Sequence, residues 1–479
     1  MKPKQVFVFI ILTIAALGML GLVFPRDGVQ FVVRWKYIHP SDILHKDTTK
    51  KLDLDSYLNS VFMKFQSNKI LSVEDSLQVY LDFHQTNPTA LIYPDNNFAY
   101  FDKFFNTLDS AKKRGKVIRI LHFGDSQIEG DRITGYIREA MQEKFGGTGF
   151  GLIPAIQIIP SGACWQDYSG AMDRFATWGV EVPRAPNGRY GFMAQMAKVY
   201  DTAVVNVSKS SQAFSHGSEF TQVRLVFGNN SGPFTVSLSA NGVSCGEQTM
   251  SDSVSGVHVF TWKLKSPATK ATINMSGTAE IYGIAFDGKY GVAMDNIPMR
   301  GSSGNVFTQI NSTLLSEGFR QMDVGMIILQ YGGNVMPSIT GMRAIEWYNE
   351  VMTREIEHLK KACPNAVILF IGPSDMSKNF DGDMRTYPYL SKHNDALKVT
   401  ANETGIAYWD MFNAMGGENS MPVWVNKGLS SPDYIHFSTK GTLKVGEMFF
   451  QSLMNDYDAY LLRKKIEEIK QDTIFKKPR

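Results

Sequence analysis

Cysteine is scarce. Cys164, Cys245 and Cys363 are the only three in 479 residues. Their spacing matches no zinc pattern and is too sparse for a disulfide framework. Cys164 and Cys245 fall in one β-rich stretch, where they either pair or stand as separate thiols. Charge of one sign is also lacking. The 49 Lys and Arg against 46 Asp and Glu leave a net charge of +3, which gives no general affinity for polyanions, so nucleic acid is not an expected partner. The basic C-terminus, LLRKKIEEIKQDTIFKKPR, is interleaved with glutamates and reads as a solvated helix face. No P-loop or G-x-G-x-x-G follows a strand, which removes the usual carriers of nucleotide chemistry. Internal repeats and long low-complexity tracts are absent as well.

Long apolar runs are limited to one. Residues 6–24 (VFVFIILTIAALGMLGLVF) carry no charge. Roughly 19 residues at about 1.5 Å each reach about 28 Å, close to the thickness of a hydrocarbon core. Lys2 and Lys4 precede the run, which favours an N-terminus held in the cytoplasm. No A-x-A-like site closes it, so an uncleaved transmembrane anchor is expected rather than a signal peptide. Either reading puts the body on the extracytoplasmic side. No cysteine lies nearby for lipid attachment. The anchor is expected over 1–26 and a membrane-proximal stalk with some helix over 27–95.

From residue 96 the pattern sharpens. Phe98, Phe101, Phe104, Phe105 and Leu108 recur at helical spacing. The run KVIRILHF reads as a short buried strand, and Ile128, Ile133, Ile137 and Met141 share one face of a following helix. Residues 161–287 change texture. Alternating runs such as TQVRLVF, FTVSLSA and VHVFTWKLK are separated by turn signals at Asn229-Asn230-Ser231-Gly232 and Asn241-Gly242, the pattern of an all-β sandwich. From 288 to 465 helix and strand alternate again, with DVGMIILQ, NAVILFIG and IAYWDMF as strands. Apolar strands alternating with helices predict a doubly wound parallel α/β sheet. The sandwich is therefore an insert between its parts, 96–160 and 288–465, and 466–479 is a charged tail. The stretch 379–385 (NFDGDMR) has two carboxylates but too few ligands for a calcium loop, and is expected as a surface loop.

In such a sheet, ligands sit beyond the carboxyl ends of the strands. Ser126, in ILHFGDSQIEGD, falls there, at the expected N-terminus of a helix whose N–H groups and dipole favour an oxyanion. Taken alone, Asp125 and Ser126 read more readily as helix caps. A partner changes that weighting. Among nine histidines only His436, in SPDYIHFSTKG, combines an aspartate three residues upstream, Asp433, with a place in a loop after the last strand. A histidine base needs such an acceptor at its other nitrogen. Asn334 follows two glycines at a strand end in ILQYGGNVM, where its amide can act as an oxyanion donor or simply form a turn. Gly301, in MRGSSGNVF, can bring a backbone N–H to the same oxygen, and Gly304 competes with it.

In order, Gly124-Asp125-Ser126, Gly301, Gly332-x-Asn334 and Asp433-x-x-His436 resemble the four blocks of the SGNH (GDSL-type) hydrolase family. The arrangement is similar to its bacterial peptidoglycan O-acetylesterase branch, which carries a carbohydrate-binding-like sandwich at a similar place. Gln127 stands where that branch usually has histidine, and Val335 where many members carry an acidic residue. The resemblance implies an SGNH/flavodoxin-like fold, with Ser126 as nucleophile, His436 as base and Asp433 as its orienter. It implies the Ser126 and Gly301 N–H groups and the Asn334 amide as oxyanion donors. The activity so implied is an envelope-facing serine esterase, in a bacterial inner membrane with its body in the periplasm. It would remove O-acetyl groups from a glycan without metal or organic cofactor. An O-acetyltransferase with the same three residues and a non-catalytic glycan-binding protein are the rival readings. Trp165, Trp178 and Trp262 can stack on sugars, although core packing suits most of them better.

Overall fold

The computed structural model describes residues 29–30, 34–35, 52–61 and 72–475. The expected anchor at 6–24 lies outside the described residues. Among the described residues no helix is long and apolar enough to cross a membrane. Residues 1–53 and 54–479 form two units. In the first, Val29–Gln30 pairs antiparallel with Arg34–Trp35.

The second unit opens with α1 (Leu54–Val61) and α2 (Val73–Thr86). Ser72 caps α2 by accepting the Asp75 N–H at 3.0 Å, and Glu74 and Asp75 complement the dipole of its first turn. Residues 72–95, at the C-terminal end of the expected stalk, dock on the body. Tyr80 is buried with its hydroxyl on Asp456, and the Trp409 indole donates to the Thr89 carbonyl at 2.9 Å. α3 (Asp102–Arg114) buries Phe104, Phe105, Leu108 and Ala111 and is closed by Gly115 at φ 62°.

β1 (Val117–Gly124) is buried throughout. α4 (Thr134–Phe145) follows it. Then comes a run of strands: β2 (Gly151–Ile153), β3 (Cys164–Ala176), β4 (Gln195–Lys209), β5 (Phe220–Gly228), β6 (Phe234–Ala240), β7 (Val243–Met250), β8 (His258–Ala268), β9 (Lys270–Ser276) and β10 (Ala279–Asp287). The chain returns through β11 (Gly291–Pro298), α5 (Ser312–Gln321), β12 (Val324–Gln330), α6 (Met342–Ala362) and β13 (Val367–Ile371). It ends with β14 (Ser377–Phe380), β15 (Asp383–Thr386), α7 (Leu390–Glu403), β16 (Ala407–Trp409), α8 (Met411–Ala414), α9 (Ser420–Asn426) and α10 (Thr439–Phe475).

Five strands form a parallel sheet in the order β11-β1-β12-β13-β16. The second strand in sequence lies on one side of β1 and the third on the other, so the winding direction reverses between β1 and β12. That switch point is where such a sheet opens a crevice. Leu121, Phe123, Ile327, Leu329, Ile368 and Phe370 of one face share a core with α5, α6 and α7. On the other side α3 and α4 reach β11, and α10 packs on both helices.

β2 to β10 form one connected sheet, β8-β5-β10-β4-β9-β6-β7, with β2 on β10 and β3 on β4. β10 meets β4 only at 279–281, so the sheet folds into two halves. Val223, Leu225 and Phe227 of β5 and Val236, Leu238, Ile273 and Met275 from the other half share one core. This is a sandwich, and it starts at Gly151, ahead of residue 161. β10 is buried along its whole length and β5 at every position but Thr221. Their second face, including Val226, Tyr282 and Ala285, belongs to the α/β core.

Three details differ from the sequence-based expectation or settle an open one. Residues 379–385 are not a plain loop but the β14–β15 hairpin, turned by Asp381 and Gly382 at φ 53° and 101°. α10 continues to Phe475 through the expected tail. Cys164, Cys245 and Cys363 are all free thiols.

Candidate active site

Ser126 directly follows β1, and Asp125 caps the turn by accepting the Gln127 N–H at 2.9 Å. The element that follows is a short 3-10 turn, Ser126–Asp131, broken at Glu129 and Gly130, where φ reaches 68°. α4 begins only at Thr134. The expected α-helix N-terminus at Ser126 is thus replaced by a kinked turn, and no aligned α-helical dipole points at the hydroxyl.

The second contribution comes from the loop before α10, pinned by a bridge between Ser430 and Phe437. Within it Asp433 Oδ1 accepts the N–H groups of Ile435 and His436 at 2.9 and 3.0 Å. Asp433 Oδ2 lies 2.8 Å from His436 Nδ1, and His436 Nε2 lies 2.8 Å from Ser126 Oγ. With Nδ1–H donated to the carboxylate, Nε2 presents its lone pair to the serine O–H. Partial burial pushes the Asp433 pKa up, but hydrogen bonds from the His436 N–H, the imidazole and the Ile435 N–H outweigh it. They hold the carboxyl below its ordinary range. His122 is no competitor for the role of base. It is buried between Thr134 and Gln330, and burial lowers its pKa to about 4.

Ser126 and His436 open on a cavity of about 160 Å³ at the β1/β12 switch point, lined also by Gly333, Asn334, Met376 and Met411. Asn334 lies within reach, but its amide is engaged. Nδ2 donates to Asp125 Oδ2 at 3.1 Å and to the Ser302 carbonyl at 3.0 Å. An oxyanion role for this side chain requires exchanging one of those bonds for the substrate oxygen. Asp125 is buried, which pushes its carboxyl up to about 6. Of the two competing glycines, Gly304 donates its N–H to Ser302 Oγ at 3.1 Å and packs on Tyr331. Gly301 has φ +74° with open space around it, and its N–H makes no hydrogen bond among the described residues. Arg300 beside it forks onto Glu129 at 2.6 and 2.7 Å.

No family model matches the chain, and no curated protein matches it. Among solved structures, a peptidoglycan O-acetylesterase aligns with 78% of this chain and 99% of its own, at 21% identity and a TM-score of 0.61. The two chains share a fold. A family two carbohydrate esterase from Cellvibrio japonicus matches 62% of this chain and 99% of its own, at 8% identity and a TM-score of 0.26.

Two residues of the site have a role that the sequence does not signal. The Gln127 amide donates to the Ile435 carbonyl at 2.8 Å and accepts the Phe437 N–H at 3.5 Å, bracketing His436. Arg132 donates to the carbonyls of Ser126, at 3.0 Å, and Phe437, at 3.3 Å. Asp433 lies on the same loop as His436 and cannot set that loop's distance from Ser126. Gln127 and Arg132 can. Of the three tryptophans, Trp262 is in the sandwich core, Trp178 is buried, and Trp165 is 62% exposed.

Proposed function

We propose that this protein is an envelope-facing serine esterase of the SGNH type that removes O-acetyl groups from a glycan. The observation that carries the reading is the unbroken relay Ser126 Oγ, His436 Nε2, His436 Nδ1, Asp433 Oδ2, with both links at 2.8 Å, opening on a cavity. Ser126 attacks the acetyl carbonyl as His436 takes its proton. The Ser126 and Gly301 N–H groups, with the Asn334 amide once it is released, stabilise the tetrahedral oxyanion. His436 then protonates the departing sugar oxygen, and water, activated by the same imidazole, releases acetate from the acetyl-serine. The shared fold with a peptidoglycan O-acetylesterase supports the choice of a glycan ester. The uncharged run at 6–24 behind Lys2 and Lys4 supports a membrane anchor with the body outside the cytoplasm.

The test is acetate release from acetylated peptidoglycan and from a chromogenic acetyl ester by wild type and Ser126→Ala. Loss of about 10³-fold or more in kcat is expected for the variant. Equal rates would remove the esterase reading. Transfer of acetyl to an added glycan without free acetate would make the protein a transferase instead.

A further inference from the structure

A cleft of about 50 Å³ lies where the sandwich meets the carboxyl end of β11, lined by Arg174, Trp178, Gln195, Asn296 and Pro298 among others. Pro298 leads through Met299 and Arg300 to Gly301, so the cleft adjoins the chain that carries an oxyanion donor. Arg174 is half-buried and held in a fixed plane. Its Nε donates to Gln195 Oε1 at 2.8 Å, and its guanidinium carbon sits 5.0 Å from the centroid of the Trp178 ring. Neither terminal nitrogen has a hydrogen-bond partner among the described residues.

Among the described residues no carboxylate neutralises this cation. Asp131 lines the same cleft, but its two oxygens take the fork of Arg138 at 2.6 and 2.8 Å. Burial lowers the Arg174 pKa to about 10 with no acid opposing it. A half-buried guanidinium without an acid loses hydration and gains no Coulombic return. An arriving anion supplies that return, and the free edge of a planar fork matches carboxylate and phosphate oxygens. Two other polar groups of the cleft are poised to donate. Gln195 Oε1 is occupied by Arg174 and Asn296 Oδ1 by Thr134 at 2.7 Å, which leaves each with its NH2 group.

We propose that the Arg174 cleft binds an anionic substituent of a glycan, a sugar carboxylate or phosphate ester, and so directs the enzyme to acidic glycans. The consequence for substrate choice rests on the esterase reading; the anion site does not.

Arg174→Met keeps the stem on Trp178 and removes the fork. With acetylated polygalacturonate and the same polymer after reduction of its carboxyls, wild type is expected to show a KM about tenfold lower for the acidic form. Arg174→Met is expected to bring that ratio to about one, and Arg174→Lys, which keeps the charge without the fork, to an intermediate value. A ratio unchanged by either variant overturns the proposal. Calorimetric titration of the Ser126→Ala protein with trigalacturonate, glucose 6-phosphate and maltotriose provides an arm independent of turnover. Binding of either anion supports the site and tells carboxylate from phosphate. Binding of neither, or equal binding of maltotriose, overturns it. Retention of acetate release by Ser126→Ala would sink the esterase reading alone, and the calorimetry would still decide the anion site.

Discussion

A serine hydroxyl attacks an ester only when a neighbouring base is aligned to take its proton, so the reading turns on individual atoms. Asp433→Asn leaves the loop's shape but offers an amide where the imidazole needs a carboxylate. A fall of about 10³–10⁴ in kcat is expected, read as the initial rate on a chromogenic acetyl ester. Gln127 acts at one remove, by setting where the imidazole sits. Gln127→Ala is expected to lower kcat about ten- to a hundredfold with little change in KM, because displacements near 1 Å cost that much. Titration of active sites with a serine-reactive phosphonate separates this from mere loss of folded protein. Asp125 adds a pH signature. Its folded pKa of about 6 lies above the ordinary value of 3.8. Raised this way, it favours the fold while protonated and loses that contribution as pH climbs from about 4 through about 6. Wild type should therefore lose roughly 3 kcal/mol relative to Asp125→Asn across that window, measured by urea unfolding at several pH values. Ser126, Asp433 and His436 were readable as residues because their chemistry is rare at strand ends. Gln127 and Arg132 were not, since an amide or a guanidinium looks the same whether it holds a loop or faces water.

Single elements decide how those atoms are presented. The break at Glu129 and Gly130 postpones α4 to Thr134. Helical spacing of Ile128, Ile133, Ile137 and Met141 concealed it, because periodicity reports which side is buried and not whether the backbone is continuous. The same limit hid the β14–β15 hairpin, whose polar strands lack an apolar alternation. Gly301 is the element-level test of the oxyanion site. At φ +74° a side chain is strained, so Gly301→Ala is expected to cost about 1 kcal/mol of stability. Open space means no clash adds to that. The strain is relieved by turning the peptide and its N–H away. A drop in kcat well beyond that stability cost, compared by thermal melting and kinetics on one preparation, is the expected outcome, whereas unchanged kcat would remove Gly301 from the oxyanion site.

At the scale of the whole body, the sandwich and the parallel sheet share their walls. β5 and β10 bury one face in each core, and Arg119 of β1 is fully buried between Asp287 of β10 and Asp295 of β11, with bonds of 2.5 to 2.7 Å. Arg119→Met leaves buried Asp295 without its ion-pair partner and Asp287 with Arg224 alone, at 2.9 Å, and is expected to cost about 3–5 kcal/mol in urea unfolding. Tryptophan fluorescence and far-ultraviolet circular dichroism should report one coincident transition, since neither core is complete without the other. A sandwich cut out on its own is expected to aggregate, because Val226, Tyr282 and Ala285 would face water. What the amino-acid sequence determined by itself was local in origin: the α/β and all-β textures, the order of strands and helices, and the chemical identity of the serine, histidine and aspartate at strand ends. Hydrophobic periodicity and residue chemistry act over a few positions and can be read there. The tertiary structure alone decided which distant groups meet. It brought residue 126 to 436 and committed Asn334 to Asp125, and among the described residues it left Gly301 rather than Gly304 with a free N–H and Arg174 without an acid. Those outcomes depend on strand order and loop path, which are settled by burial and pairing summed over the whole chain and leave no mark on any short stretch of it.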